Sequence, residues 1–132
     1  MENEDEKRIF YESQYYSNQA KQVQQQIAQL ETLLEENAAT TKALENLSEQ
    51  ETLFPIGSGT YLRGTLSDKS KVLIDLGARV IGEKNVADAQ KILEERKEKL
   101  ETGIDNLKKT LMQLAGKLDE LNTQTSKLQK QS

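Results

Sequence analysis

Several residue types that commonly build active sites are missing from this 132-residue chain, which has no cysteine, no histidine, no tryptophan and a single proline. Without cysteine there is no disulfide and no thiol nucleophile, which is compatible with the cytoplasm. Without histidine as well, Ser-His-Asp and Cys-His catalysis and an ordinary zinc site are excluded. Carboxylates remain, but every Asp and Glu falls on a predicted helix face, in a turn or in a short strand. We therefore expect a protein that is not an enzyme and that holds no metal and no cofactor.

Long apolar runs and an excess of basic charge are also missing. No run approaches the roughly 18 apolar residues of a membrane span, so we expect no membrane partner. The net charge is -4 with both signs interleaved, and the absence of a basic stripe argues against nucleic acid. The N-terminal residues MENEDEKR contain no apolar h-region. We therefore expect no signal peptide and a cytoplasmic location.

The residues that are abundant predict long helices. Only 35% of the chain is hydrophobic and 30% is charged, a composition typical of coiled coils. A first helix is predicted over residues 4–50, where Asn37 and Thr41 interrupt the apolar pattern with polar side chains. Alternating steps of four and three residues, typical of a heptad seam, separate Tyr16, Ala20, Val23, Ile27, Leu30 and Leu34.

A second heptad pattern predicts a helix over residues 86–130, with Asn85 as its N-cap. Its seam consists of Leu100, Ile104, Leu107, Leu111, Leu114, Leu118 and Leu121, continued by Thr125 and Leu128. Two seams of similar length predict an antiparallel two-helix coiled-coil hairpin. The alternative is that each helix pairs with another chain.

The middle segment, residues 52–83, changes from helical to strand periodicity. Gly57-Ser58-Gly59 and Gly77-Ala78 fit hairpin turns, and Gly64 fits a bulge, so we expect two small β-hairpins. The predicted fold class is therefore α+β, with the two hairpins between the helices.

Thirty residues exceed what a helix–helix connection requires. Isolated hairpins are marginal in water and their open edges favour pairing, so we expect a subunit-assembly module rather than a simple plug for the coil. Alternation places Leu73 on the face opposite Val72, Ile74 and Leu76. The candidate assembly contacts are Leu53, Phe54, Ile56, Tyr61, Leu62, Val72, Ile74, Leu76 and Val80.

The stretch TLFPIGSGTYLRGTLSDKSKVLIDLGARVIGEKNVADA resembles the alpha-class subunit of the prefoldin family, and the resemblance extends over nearly the whole chain. Its specific features are the proline-glycine entry into the first hairpin, the GSG turn and the VLIDLG strand. Two hairpins instead of one distinguish the alpha class from the beta class, and the general pattern favours an archaeal type. The resemblance implies a single prefoldin-like domain over residues 1–132.

The resemblance also implies a function, that of an ATP-independent holding chaperone. In that family two alpha-class and four beta-class chains form a hexamer with a β-barrel platform and six coiled coils. Unfolded polypeptide is held at the coiled-coil tips and delivered to a group II chaperonin. The implied partners are beta-class subunits, a second copy of the chain through the β-hairpins, unfolded proteins and the chaperonin.

Four of the six aromatic residues lie in the short stretch RIFYESQYY, residues 8–16, at one end of the predicted coil. Ile9 and Tyr16 occupy seam positions, whereas Tyr11 and Tyr15 fall on the outward face. The expected client-binding residues are Ile9, Phe10, Tyr11, Tyr15, Tyr16, Leu121 and Leu128. One alternative is that the aromatic residues only close the coil. Another is a structural tether or a filament-forming subunit without client binding.

Overall fold

The computed structural model of the chain describes residues 2–131. Four short strands lie between two long helices in the sequence. The chain order is α1 (Glu2–Glu45), β1 (Thr52–Gly57), β2 (Thr60–Gly64), β3 (Lys71–Gly77), β4 (Val80–Asn85) and α2 (Val86–Gln131). Strand β1 pairs with β2 and β3 pairs with β4, both antiparallel, which gives two separate two-stranded sheets. The predicted α+β fold with two hairpins between two helices is confirmed.

The chain divides into two compact units, which are described separately below. One unit contains the chain up to Leu34 and the chain from Lys99 onward. The other contains residues 35–98, which include both hairpins. The single domain expected over residues 1–132 stays a prediction.

In the first unit the two helices pack in antiparallel directions along the predicted seams. Val23, Ile27 and Ile104 are buried together, and burying each such side chain contributes about 1.5–3 kcal/mol. The half-buried side chains packed against them are Leu30, Leu34, Leu107, Leu111 and Leu114. The heptad pattern therefore predicted this core correctly, because a period near 3.5 residues keeps one face of each helix toward its partner.

In the second unit a buried polar contact joins the helices. The side chain of Asn37 is 8% exposed, and its Nδ2 donates a hydrogen bond to the backbone oxygen of Leu93 at 3.0 Å. Ala89 and Leu93 are buried here, although the seam predicted for α2 began only at Leu100. Going along α2, the positions on this face are Leu93, Arg96, Leu100 and Ile104, separated by steps of three, four and four residues. The two successive steps of four break the alternation of four and three that a heptad seam requires, so the seam predicted from Leu100 onward did not reach back to Leu93.

The first helix ends at Glu45 instead of residue 50 and begins at Glu2 instead of residue 4. Asn46 ends it, because its amide side chain donates to the oxygen of Lys42 at 2.8 Å and its backbone N–H donates to the oxygen of Ala43 at 3.1 Å. Such local bonds offer the backbone an alternative to the helix. At the start of α2, Asn85 Oδ1 accepts from the N–H of Asp88 at 2.8 Å, which confirms the predicted N-cap.

Each hairpin turns through two central residues with positive φ, and the glycine before them also has positive φ. The angles at Gly57, Ser58 and Gly59 are 113°, 51° and 70°, and those at Gly77, Ala78 and Arg79 are 99°, 51° and 64°. The second turn therefore lies at Ala78-Arg79 and not at Gly77-Ala78. Two positive φ angles match the twist of the flanking strands, which explains why non-glycine residues adopt them here.

The bulge predicted at Gly64 lies elsewhere. Gly64 pairs regularly with Thr52, and the register shifts instead between Pro55 and Gly57. The ring of Phe54 covers Gly64, so that a Cβ there would lie 2.9 Å from Phe54 Cε2. Close approach of a side chain, and not a bulge, thus explains this glycine.

Candidate functional site

The aromatic stretch near the start of α1 divides into buried and exposed side chains. Ile9 is 5% exposed, whereas Tyr11 and Tyr15 are 67% and 60% exposed and Phe10 is similarly open. Tyr16 is half-buried. On α2, Leu121 is buried and Leu128 is half-buried. The predicted split between seam and outward positions therefore matches the burial of these side chains.

The exposed rings pair with their neighbours in sequence. Phe10 and Tyr11 lie edge to face with centroids 5.8 Å apart, and Tyr15 and Tyr16 do the same at 5.4 Å. Edge-to-face contact is a preferred arrangement of neighbouring aromatic rings. The pairing holds the rings in place although much of their area stays in contact with water.

A groove opens beside Phe10, between the beginning of α1 and the last turns of α2. Its volume is about 370 Å³, within the range of roughly 300–1,000 Å³ found for ligand pockets. The lining residues are Glu6, Ile9, Phe10, Ser13, Thr125, Leu128 and Gln129. The three apolar side chains in this set form a surface that can receive an apolar side chain of another polypeptide.

Charges of both signs surround this end of the first unit. Asp5, Arg8 and Lys127 line a neighbouring groove. Arg8 also approaches Glu12 Oε1 at 3.4 Å, an exposed i,i+4 pair worth only a few tenths of a kcal/mol (~0.3–0.5). The balance of charge favours neither a strongly acidic nor a strongly basic ligand.

The two hairpins expose most of their apolar side chains. Among the predicted assembly contacts, Val72 and Ile74 are half-buried, and the exposed ones are Leu53, Phe54, Ile56, Tyr61, Leu62, Leu76 and Val80. Two exposed side chains were not predicted as contacts: Leu73 at 75% and Ile81 at 67%.

Leu73 and Ile81 lie on one face of the second hairpin. Leu73 pairs with Glu83 and Ile81 pairs with Asp75, so all four side chains share the face opposite Val72 and Ile74. Strand alternation predicted the position of Leu73. It could not indicate which of the two apolar faces is covered within the chain, so it did not single out the exposed side chain of Ile81.

Hydrogen bonds tie the second hairpin to α2. The N–H of Val86 donates to the oxygen of Ser70 at 3.1 Å, and the guanidinium of Arg96 donates to the backbone oxygen of Asp75. Within residues 2–131, by contrast, no hydrogen bond or ion pair joins residues 52–64 to either helix. Each sheet has only two strands, so every strand has an edge that another chain can pair with.

Within residues 2–131, no group of three or more Asp and Glu side chains is arranged to hold a metal ion. The helices in this range also lack a stretch long and apolar enough to cross a membrane.

Comparison with known proteins identifies the family. The family model for prefoldin subunits matches residues 16–131, which include both hairpins and α2. The chain belongs to the prefoldin family. Prefoldin subunits are chaperone subunits that form oligomeric assemblies, and the matched range begins just after Phe10, Tyr11 and Tyr15.

Archaeal prefoldin alpha subunits are similar to the chain along most of its length. The one from Nitrosopumilus maritimus is 32% identical over 127 residues, covering 83% of this chain and 88% of the relative. The one from Pyrococcus horikoshii is 26% identical over 132 residues, covering 96% and 89%. The alpha-class, archaeal-type resemblance is therefore confirmed.

A solved prefoldin structure has the same fold. It is the cryo-EM structure of a filamentous prefoldin from Methanocaldococcus jannaschii, with a TM-score of 0.71 and 25% sequence identity. The similarity covers 86% of this chain and 97% of that chain. The arrangement of two helices and two hairpins is thus a known prefoldin architecture.

Proposed function

We propose that this prefoldin chain is part of an ATP-independent holding chaperone that binds unfolded polypeptide at the aromatic end of its coil and delivers it to a group II chaperonin. The observation that carries the proposal is the exposure of Phe10, Tyr11 and Tyr15 beside the groove. A helical pair normally places polar side chains at such outward positions. Family membership supports the chaperone part of the proposal.

The chemistry of holding requires apolar surface that is accessible but weakly binding. Unfolded proteins expose apolar side chains, and the groove lined by Ile9, Phe10 and Leu128 would receive one of them. Tyr11 and Tyr15 would add flat ring surfaces beside it, and Tyr16 and Leu121 would support the rings from within. Each arm binds weakly, and several arms together bind firmly through effective concentration, which allows release without ATP.

Assembly supplies the several arms that this mechanism needs. We propose that the hairpins join this chain to four beta-class subunits and to a second copy of itself, in a cytoplasmic hexamer. The exposed apolar side chains and the open strand edges of the hairpins support this proposal. An exposed apolar edge that stayed unpaired would favour aggregation.

A structural tether or filament subunit without client binding is the second candidate. The similar structure from Methanocaldococcus jannaschii is described as filamentous, which favours this variant. Exposed aromatic rings would have no role in a passive tether, so they favour the holding chaperone.

One experiment addresses both candidates. The chain is mixed with beta-class chains from the same organism, its assembly mass is measured by light scattering, and aggregation of guanidinium-unfolded citrate synthase is followed with and without ATP. The proposal predicts the mass of two alpha and four beta chains and suppression of aggregation that does not need ATP. Assembly without suppression would favour the tether, and an extended polymer without suppression would favour the filament.

A further inference from the structure

We propose that the client surface does not end at the aromatic residues but continues along α1 over an uncharged stripe of exposed side chains, which binds uncharged segments of unfolded polypeptide. This inference rests on the proposed holding function and adds to it the extent of the site and the class of segment that it selects. The neutral stripe consists of Tyr11, Tyr15, Asn18, Gln22, Gln25, Gln29 and Thr32.

The stripe follows one outward face of the helix. Its members are separated by alternating steps of four and three residues, so they lie above one another on the surface. Every one of them is exposed. The same spacing places charged residues just outside the stripe, Arg8 before Tyr11 and Glu36 after Thr32.

The outward face lacks charged side chains at the stripe positions of α1 but not on α2. Between Glu12 and Glu31, Lys21 is the only charged residue of α1, in a chain that is 30% charged. The corresponding outward positions of α2 include Lys109, Glu120 and Lys127. A general solvated surface would be expected to carry charge on both helices.

Within residues 2–131, the amides of the stripe have no partner. The side chains of Asn18, Gln22, Gln25 and Gln29 form no hydrogen bond with any of these residues, whereas Thr32 donates to the oxygen of Ala28 at 3.0 Å. Each free amide offers donors and an acceptor, so it can pair with the N–H and C=O groups of an unfolded backbone. A charged side chain in its place would lose its water on contact with an apolar segment, at a large cost.

The length of the stripe determines how much polypeptide it can contact. From Tyr11 to Thr32 the helix rises about 32 Å at ~1.5 Å per residue. An extended segment at ~3.3 Å per residue would cover this distance with about ten residues. The occupant is therefore an uncharged, extended segment of roughly ten residues that starts at the aromatic end, where apolar side chains are received.

The test introduces charge into the stripe without changing side-chain size. The double variant Gln22→Glu with Gln29→Glu is compared with Asn106→Asp with Gln113→Glu, an equally spaced and exposed pair on the outward face of α2. Both change the net charge by the same amount, Gln and Glu have similar helix propensities, and so do Asn and Asp. Each full-length variant, assembled with beta-class chains, is tested for holding of guanidinium-unfolded citrate synthase.

We expect the α1 double variant to raise the chaperone concentration needed for half-maximal holding about fivefold. The α2 double variant should leave this concentration unchanged. Gln22→Lys with Gln29→Lys should weaken holding similarly, because neutrality and not the sign of the charge matters. Equal holding by the α1 variants and the wild type would overturn the inference. A changed assembly mass would overturn it in favour of a contact between copies. If the wild type itself does not hold the client, the proposed function fails as well.

Discussion

The side-chain amide of Asn37, which is buried on α1, donates a hydrogen bond to the backbone oxygen of Leu93 on α2 at 3.0 Å. A buried amide must find a partner, and this one finds it in the opposite helix. Sliding either helix by one residue would remove the bond. Asn37 thus favours one register of the pair.

Replacing Asn37 with alanine should lower the free energy of unfolding by about 1–2 kcal/mol, because the hydrogen bond and part of the packing are lost. Urea unfolding followed by circular dichroism measures the change. Thr40→Ala is the matched control, since Thr40 is exposed and its hydroxyl donates to the oxygen of Glu36 in its own helix. Equal effects of the two substitutions would contradict a role for Asn37 in joining the helices.

Two glycines inside α2 should respond differently to alanine. A Cβ at Gly116 meets no atom within 4 Å, so Gly116→Ala should stabilise the chain by up to ~1 kcal/mol through helix propensity alone. A Cβ at Gly103 would lie 3.3 Å from Leu30 Cδ1, so Gly103→Ala should gain less. Thermal unfolding of the two variants compares them. A larger gain at Gly103 would contradict the close packing of Leu30 against this position.

The exposed face of the second hairpin is expected to contact a partner subunit. Leu73→Asp or Ile81→Asp would then bury an unpaired charge, at a cost of about 3 kcal/mol or more. Association should weaken about a hundredfold, measured as assembly mass by light scattering. Both side chains are exposed in the isolated chain, so its own folding should be little affected.

Thr65→Asp serves as the control for this experiment, since Thr65 is exposed in the loop between the hairpins. Ile74→Asp, on the opposite face, should also break the assembly if both faces are covered. Unchanged mass in both the Leu73 and the Ile81 variants would show that this face is not an interface.

Asp68 should show a small pH effect in the loop before β3. Hydrogen bonds from the side chain and the backbone N–H of Ser70 lower the pKa of the Asp68 carboxyl below 3.8. Because the pKa of Asp68 is lower in the folded state than its ordinary value of 3.8, the ionised carboxylate stabilises the folded state above pH 3.8. This stabilisation is lost as the pH falls through the lowered pKa. Ser70→Ala should raise the pKa of Asp68 in an NMR titration, and an unchanged pKa would contradict the role of Ser70.

Much of the fold was predictable because helical and strand periods differ. The spacing of Val23 and Ile27, and that of Ile104 on α2, predicted the buried face of each helix correctly. The positions of the second turn and of the helix end were wrong, because local bonds and strand twist decide them. Positive φ angles continue from Gly77 through Ala78 to Arg79, one residue beyond the predicted turn, and Asn46 ends α1 early.

The candidate site was predictable only in part. The heptad register separated buried Ile9 from outward Tyr11 and Tyr15, because register determines which side of a helix a residue occupies. It did not predict the groove beside Phe10, since a groove depends on how the side chains of two helices meet. Exposure of Ile81 was missed for a similar reason, because alternation gives two faces without saying which one the chain covers.

The most direct test of the holding proposal removes the outward rings. Tyr11→Ser with Tyr15→Ser is compared with Leu33→Ser with Met112→Ser, which removes exposed apolar side chains elsewhere in the same unit. The measurement is the chain concentration that halves aggregation of guanidinium-unfolded citrate synthase, with unfolding free energy measured in parallel. We predict that the tyrosine pair raises this concentration at least about threefold and the control pair does not, while stability changes by no more than ~0.5 kcal/mol. A large loss of stability with unchanged holding would contradict the account and show that the rings only close the coil.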